Sequence, residues 1–178
     1  KKSTGAGGCA DGGYVHPVDY VNEVQFAQTA NLPDPYDPTP IQRNISVYYT
    51  SLNVGGVDFA IIEDRKFKTG PMDLVETPGH KRPDLINDPG LDRTSVDRPD
   101  GKLLGERQFK CLRDWGTKWV GVQLKAVLSQ TIFANAAHKT GPWRVVADLD
   151  SNGWPQTGRN KALKEIRKSF AYMISGDQ

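Results

Sequence analysis

The last twenty-odd residues of the chain constrain its fold most tightly. Leu163, Ile166 and Phe170 recur at helical spacing as an apolar stripe, Arg159, Lys161, Lys164, Arg167 and Lys168 face water, and Thr157 is placed to cap the start. The helix predicted in this way runs into Ala171 to Ile174, a short strand expected to be buried, and then into Ser175-Gly176-Asp177-Gln178. A helix, a buried strand and then Gly-Asp form the end of an α/β crossover unit, whose parallel strand delivers a carboxylate to the sheet's carboxyl edge. Parallel strands with helices packed over them are therefore expected.

Upstream the same alternation recurs. Leu104, Gln108, Cys111, Leu112 and Trp115 share one face of a predicted helix, and LKAVLSQ, Leu124 to Gln130, follows as a strand. Ser46 to Leu52 and Val57 to Glu63 are rich in aromatic and β-branched residues and flank Asn53-Val54-Gly55-Gly56, which predicts a β-hairpin. Tyr20, Val21, Val24 and Ala27 mark a short amphipathic helix between Pro17 and Ala30. Trp143 to Leu149 is a weaker strand candidate running into a loop, Asp150 to Pro155. Residues 3–13 are Gly-rich and without periodicity, Leu32 to Pro40 has proline at nearly every other position, and residues 70–101 are crowded with Pro, Gly, Asp and Arg. The first two read as loops, the last as a flap-like insertion beside a site. One layered α/β domain of mixed sheets and flanking helices accounts for this order.

Composition removes several classes of function. The chain has 178 residues, 37% of them hydrophobic, enough for one core. Its 23 basic and 21 acidic residues are spread along its length and give a net charge of +2, so no nucleic-acid specificity or membrane patch is indicated. No apolar run is long enough to span a bilayer. Cys9 and Cys111 have no second Cys at metal-knuckle spacing, and a single long-range disulfide between them stays open. The three histidines, His16, His80 and His138, lie apart without a partner at ligand spacing and read as surface or packing residues, and the four tryptophans read as core or loop anchors.

Two places carry chemistry. Asp177 follows Gly176 at a strand's carboxyl end, where a carboxylate serves as a hard oxygen ligand and the glycine lets the backbone turn. Asp64-Arg65-Lys66-Phe67-Lys68 lies beyond the second hairpin strand, a position that faces the ligand crevice in α/β proteins. Its plainer reading is a strand end with solvated Arg65 and Lys66 and an Asp64 that caps or pairs with a neighbouring Arg.

The stretches STGAGGCADGGY, LPDPYDPTP, VYYTSLNVGGVDFAIIEDRKFK, LLGERQFKCLRDW and SNGWPQTGRNKALKEIRKSFAYMISGDQ together resemble the PhoD-like (alkaline phosphatase D) metallophosphatases over nearly the whole chain. In that family a strand ends in Asp-x-Arg or a close variant, which Asp64-Arg65 approximates, and a Leu-Gly-x-x-Gln helix follows, as Leu104-Gly105 and Gln108 do. The family then closes on Gly-Asp-x-His, matched here as far as Asp177 and Gln178. The resemblance implies the catalytic domain of a layered α/β/β/α metallophosphoesterase with two packed sheets, represented incompletely. It implies hydrolysis of phosphate mono- or diesters at two metal ions, iron and calcium in the family, with secretion or export to the periplasm. It makes Asp177 a metal ligand and gives Arg65, Asn152 and Asp64 to the substrate, with Lys66 and Lys68 as further phosphate donors. Metal-binding residues that the family carries before the stretch matching Lys1, and the histidine after Gln178, lie outside the sequence. The bare chain is therefore expected to be inactive, and poorly stable on its own because an incomplete sheet exposes unpaired edges. The competing reading is a non-catalytic domain that binds a phosphorylated ligand or a partner on the same scaffold.

Overall fold

The computed structural model describes residues 16–71, 74–75, 86–88, 90–92, 94–134, 149 and 153–176. The Gly-rich residues 3–13, the strand candidate from Trp143 up to Leu149, His80, His138, Asn152 and Asp177 lie outside the described residues.

The hairpin comes first among the strands. β1 (Thr50–Val54) and β2 (Val57–Ile61) pair antiparallel, with Thr50 opposite Ile61 and Val54 opposite Val57. Only Gly55 and Gly56 lie between them, at φ +59° and +84°, the left-handed pair that a two-residue hairpin turn needs. β1 begins four residues later than the sequence predicts, although Val47, Tyr48 and Tyr49 are buried. Their neighbour is the proline-rich loop: Tyr36 N–H donates to Tyr49 O at 2.9 Å, Tyr48 Oη to Pro33 O at 2.6 Å, and Thr50 Oγ1 to Asp34 O at 2.7 Å. A segment broken by prolines supplies too few N–H groups for a ladder, so it makes single bonds instead.

Two crossovers complete the sheet. Helix α2 (Gly105–Gly116) leads into β3 (Leu124–Ser129), which runs parallel to β2 with Ala60 beside Val127. Helix α3 (Gln156–Arg167) leads into β4 (Tyr172–Ser175), parallel to β3 with Val127 beside Met173. The order is β1-β2-β3-β4. Ala60, Ile62, Val127 and Met173 pack against Leu104, Phe109, Leu112 and Trp115 around α2 and against Ala162 and Ile166 of α3, forming the main core. Gly158 of α3 lies against Leu103, where an added Cβ would stand 3.2 Å from the Leu103 backbone nitrogen. Helix α1 (Val18–Thr29) flanks the sheet near the carboxyl ends of β2 and β3. A mixed sheet flanked by helices is thus present, and the described residues supply one of the two sheets expected.

Four expectations change in detail. Phe170 leaves the α3 stripe: the helix stops at Arg167, Phe170 turns to φ +51° and is 82% exposed, and Ala162 takes the buried position. Thr157 lies inside the first turn of α3 and is itself capped, because the Asp97 carboxylate accepts its N–H at 3.0 Å and its hydroxyl. β4 is an edge strand with Tyr172 and Ile174 exposed, not a buried one. On α1, Val21 alone is buried, while Tyr20 and Val24 face an open cavity.

Residues 70–101 leave and return at one point. Thr69 N–H donates to Lys102 O at 2.8 Å, and Lys102 N–H to Thr69 Oγ1 at 2.9 Å. Ile86 and Val96 from this stretch bury against Leu149 and Trp154, and Trp154 Nε1 donates to Val96 O at 2.7 Å. Among the described residues no helix is long and apolar enough to cross a membrane.

Candidate functional site at the carboxyl edge of the sheet

Because β2, β3 and β4 run parallel, their carboxyl ends lie side by side and bring Glu63-Asp64-Arg65, Gln130-Thr131 and Gly176 to one edge. Pairing continues past the strands through Ile62 N–H to Leu128 O at 3.0 Å and Gly176 N–H to Ser129 O at 3.2 Å. At that point Gln108 takes over. Its Oε1 accepts Glu63 N–H at 2.9 Å, and its Nε2 donates to Glu63 O at 2.7 Å and to Leu104 O at 2.9 Å. This explains the Leu-Gly-x-x-Gln spacing: Leu104 offers its carbonyl, Gly105 takes φ +76° to begin α2, and Gln108 falls one turn later against the end of β2.

Both acids at this edge are buried. Asp64 has no exposed surface, its Oδ2 accepts a hydrogen bond from the Thr131 hydroxyl, and its Oδ1 is buried with no hydrogen-bond partner among the described residues. Burial raises the Asp64 pKa; the Thr131 bond and the charges of Lys68 and Arg65 oppose the shift. Glu63 is 4% exposed, and burial pushes its pKa up to about 7, against the opposing charge and backbone N–H of Lys66. Glu63 Oε1 accepts that N–H at 3.1 Å.

The basic residues divide between two directions. The Lys66 ammonium turns inward, donating to Gln25 Oε1 and to Ser46 O at 2.9 Å, and burial lowers its pKa. Lys68 Nζ donates to Leu149 O at 2.8 Å. Arg65 is half-buried close enough to bear on Asp64. Between α1 and this edge lies a cavity of about 610 Å³, with Glu63, Lys66 and Gln130 among its lining residues.

Of the residues expected at the site, the structure brings Asp64, Arg65 and the chain leading to Asp177 to one edge, while Asn152 and Asp177 themselves lie outside the described residues. One residue is missed by the sequence reading: Glu63 figures there only as the end of a strand, yet Glu63-Asp64-Arg65 places an acid two positions before Arg, the spacing of the family's Asp-x-Arg. Gln108 figures there as a buried face residue and as the Gln of Leu-Gly-x-x-Gln, and its part in holding Glu63 needs the tertiary contact to be seen. Among the described residues no three His, Cys, Asp or Glu side chains converge to hold a metal ion, and Thr131 already closes one oxygen of Asp64. The described residues therefore do not by themselves fit a two-metal centre. Cys111 is a free, buried thiol whose pKa burial raises to about 12, which makes it a packing residue.

No family model and no curated protein matches the sequence. The comparison of folds does find a match. Parallel strands that bring acids to one carboxyl edge, under two crossover helices, form the scaffold of a mixed α/β protein. A solved structure it resembles is that of PhoD, with a TM-score of 0.56 and 15% sequence identity over 92% of this chain and 30% of that one. The chain thus spans less than a third of the length of PhoD and shares its fold over nearly all of its own.

Proposed function

We propose that the protein containing this chain hydrolyses phosphate mono- or diesters in the manner of the PhoD-like phosphatases, and that residues 1–178 are part of its catalytic domain. The observation that carries this reading is the alignment of three parallel carboxyl ends on a PhoD-like scaffold, with buried acids and Arg65 at the edge that leads to Asp177. Asp177 is the metal ligand contributed by this stretch, and the two metal ions, iron and calcium by the resemblance, take their remaining ligands from elsewhere. Arg65 donates to the phosphoryl oxygens, where a guanidinium is the better bidentate partner. Asn152 contacts the substrate, and Asp64, tied to Thr131, holds the loop that carries Arg65. The resemblance also supports an exported, secreted or periplasmic protein. Hydrolysis breaks the bond from phosphorus to the ester oxygen; water supplies the new oxygen on phosphorus and the proton that leaves with the alcohol.

The test compares 4-nitrophenyl phosphate and bis(4-nitrophenyl) phosphate as substrates for the 178-residue chain and for a chain lengthened at both ends along its gene, with iron and calcium supplied. Turnover by the lengthened chain alone, lost in Asp177→Ala, is the expected result. Turnover by neither chain across metals and pH would replace hydrolysis with the phospho-ligand-binding reading.

A further inference from the structure

The loop that carries Arg65 is fastened to several parts of the fold at once. Asp64 accepts the Thr131 hydroxyl beyond β3, and Lys66 reaches Gln25 of α1 and the Ser46 carbonyl. The Phe67 ring stands edge-on to Tyr49 with 5.9 Å between centroids, and the Arg107 guanidinium of α2 lies 5.7 Å from the Phe67 centroid. Thr69 closes on Lys102. Lys68 makes the fifth attachment, through Nζ to Leu149 O at 2.8 Å.

What Lys68 holds sets it apart. Leu149 is buried with Ile86, Val96 and Trp154 in a small core separate from the main one, and Ile86 and Val96 belong to residues 70–101. At its other end Lys68 is bound within the loop, since its N–H donates to Asp64 O at 2.9 Å and closes a turn that contains Arg65. One residue thus joins the turn around Arg65 to the core built by the insertion. Its partner there is a main-chain carbonyl, so the attachment is set by packed backbone and not by a second flexible side chain.

Resting on the hydrolase reading above, in which Arg65 donates to the phosphoryl oxygens, we propose that Lys68 is a positioning residue for Arg65, and that residues 70–101 act through it as a strut for the guanidinium. A guanidinium meets phosphoryl oxygens through a planar fork, which rewards a fixed backbone more than a point charge does. An arginine on a loose loop would have to be ordered at every binding event, whereas a loop already held on several sides has met that cost on folding. Lys68 serves phosphate recognition in this way without donating to the phosphate.

A double-substitution cycle in the lengthened protein, with 4-nitrophenyl phosphate as substrate, tests this. Arg65→Ala should lower kcat/KM about a hundredfold and Lys68→Met about tenfold. In the Arg65→Ala background, Lys68→Met should cost less than about twofold, because the tether then has nothing to position. Lys68→Arg, which can donate to the same carbonyl, should recover most of the loss. Losses that multiply in the double variant would make Lys68 a phosphate contact in its own right and overturn the proposal. A second readout is independent of turnover: nitrogen relaxation at Arg65 Nε in the 178-residue chain should report a more mobile guanidinium in Lys68→Met. Trp154→Phe, which removes the bond to Val96 O, should produce a smaller change in the same direction. Arg65 relaxation unmoved by Lys68→Met overturns the proposal as well. If the lengthened protein hydrolyses no phosphate ester while Lys68→Met still loosens Arg65, the hydrolase reading falls and the tether stands; hydrolysis with multiplied losses removes the tether alone.

Discussion

At the amino-terminal end of β2 and β3, Asp58 and Lys125 are paired neighbours at 2.8 Å. Lys125 also donates to Trp115 O at 2.8 Å and lies 4.3 Å from the Trp115 ring centroid, so a fully buried ammonium has its charge and donors provided for. At the carboxyl-terminal end of the same strands, Glu63 and Asp64 are as deeply buried, but Asp64 Oδ1 has no hydrogen-bond partner among the described residues and both carboxyls are pushed toward their neutral forms. One end of a single strand pair is electrostatically complete, and the other keeps acids in an environment that resists their charge. Burial alone therefore does not mark a site; burial without compensation does.

The strongest way to break this contrast is to remove the compensation at the complete end. Lys125→Met leaves Asp58 buried without its partner and should cost about 3–5 kcal/mol in urea unfolding, while pairing it with Asp58→Leu should recover most of that loss. A loss below about 1 kcal/mol for the single variant would show that the amino-terminal end does not depend on the pair.

The opposite end should respond to pH. The folded-state pKa of Glu63 lies above its unfolded value, so between about pH 4.5 and about pH 7 the native chain holds more protons than the unfolded chain, and stability falls as pH rises through that window. Glu63→Gln should remove this loss and stabilise the protein by on the order of 3 kcal/mol at about pH 8, with little effect at about pH 4. Asp64, shifted in the same direction and still present, leaves a residual slope, and Lys66 is the charged neighbour that limits the effect. Parallel stability curves for the two proteins from about pH 4 to about pH 8 would mean that Glu63 is not held near neutrality. A smaller effect is expected away from both ends: Asp97→Ala removes the carboxylate that caps α3 and should cost about 1 kcal/mol, independent of the Glu63 window.

The same contrast explains what could be read from the sequence. Helices α2 and α3 and strand β3 were legible because their apolar periodicity is strong and one face of each meets the core. The hairpin was legible from Gly55-Gly56, although the start of β1 was not, since Tyr48 and Tyr49 carry strand-like side chains and bond to a proline loop more than ten residues away. By local rule Thr157 caps α3, and the group that caps it, Asp97, lies far away in the sequence within residues 70–101. At the site, the sequence puts Asp64 just beyond a strand, and the structure brings the ends of β2, β3 and β4 to one edge there. The inward turn of Lys66 and the burial of Glu63 depend on α1 and α2, which no local pattern links to β2.

Gln108 gives the edge one further property. A side-chain amide has the same donor and acceptor as a peptide group, and here it is set against the Glu63 peptide as a neighbouring strand would be. The last rung of β2 is thus carried by a helix, which grips the strand end as a neighbouring strand would. The place where the backbone departs from the sheet is indexed to α2, so a small rotation of that helix would be transmitted directly to the carboxyl of Glu63.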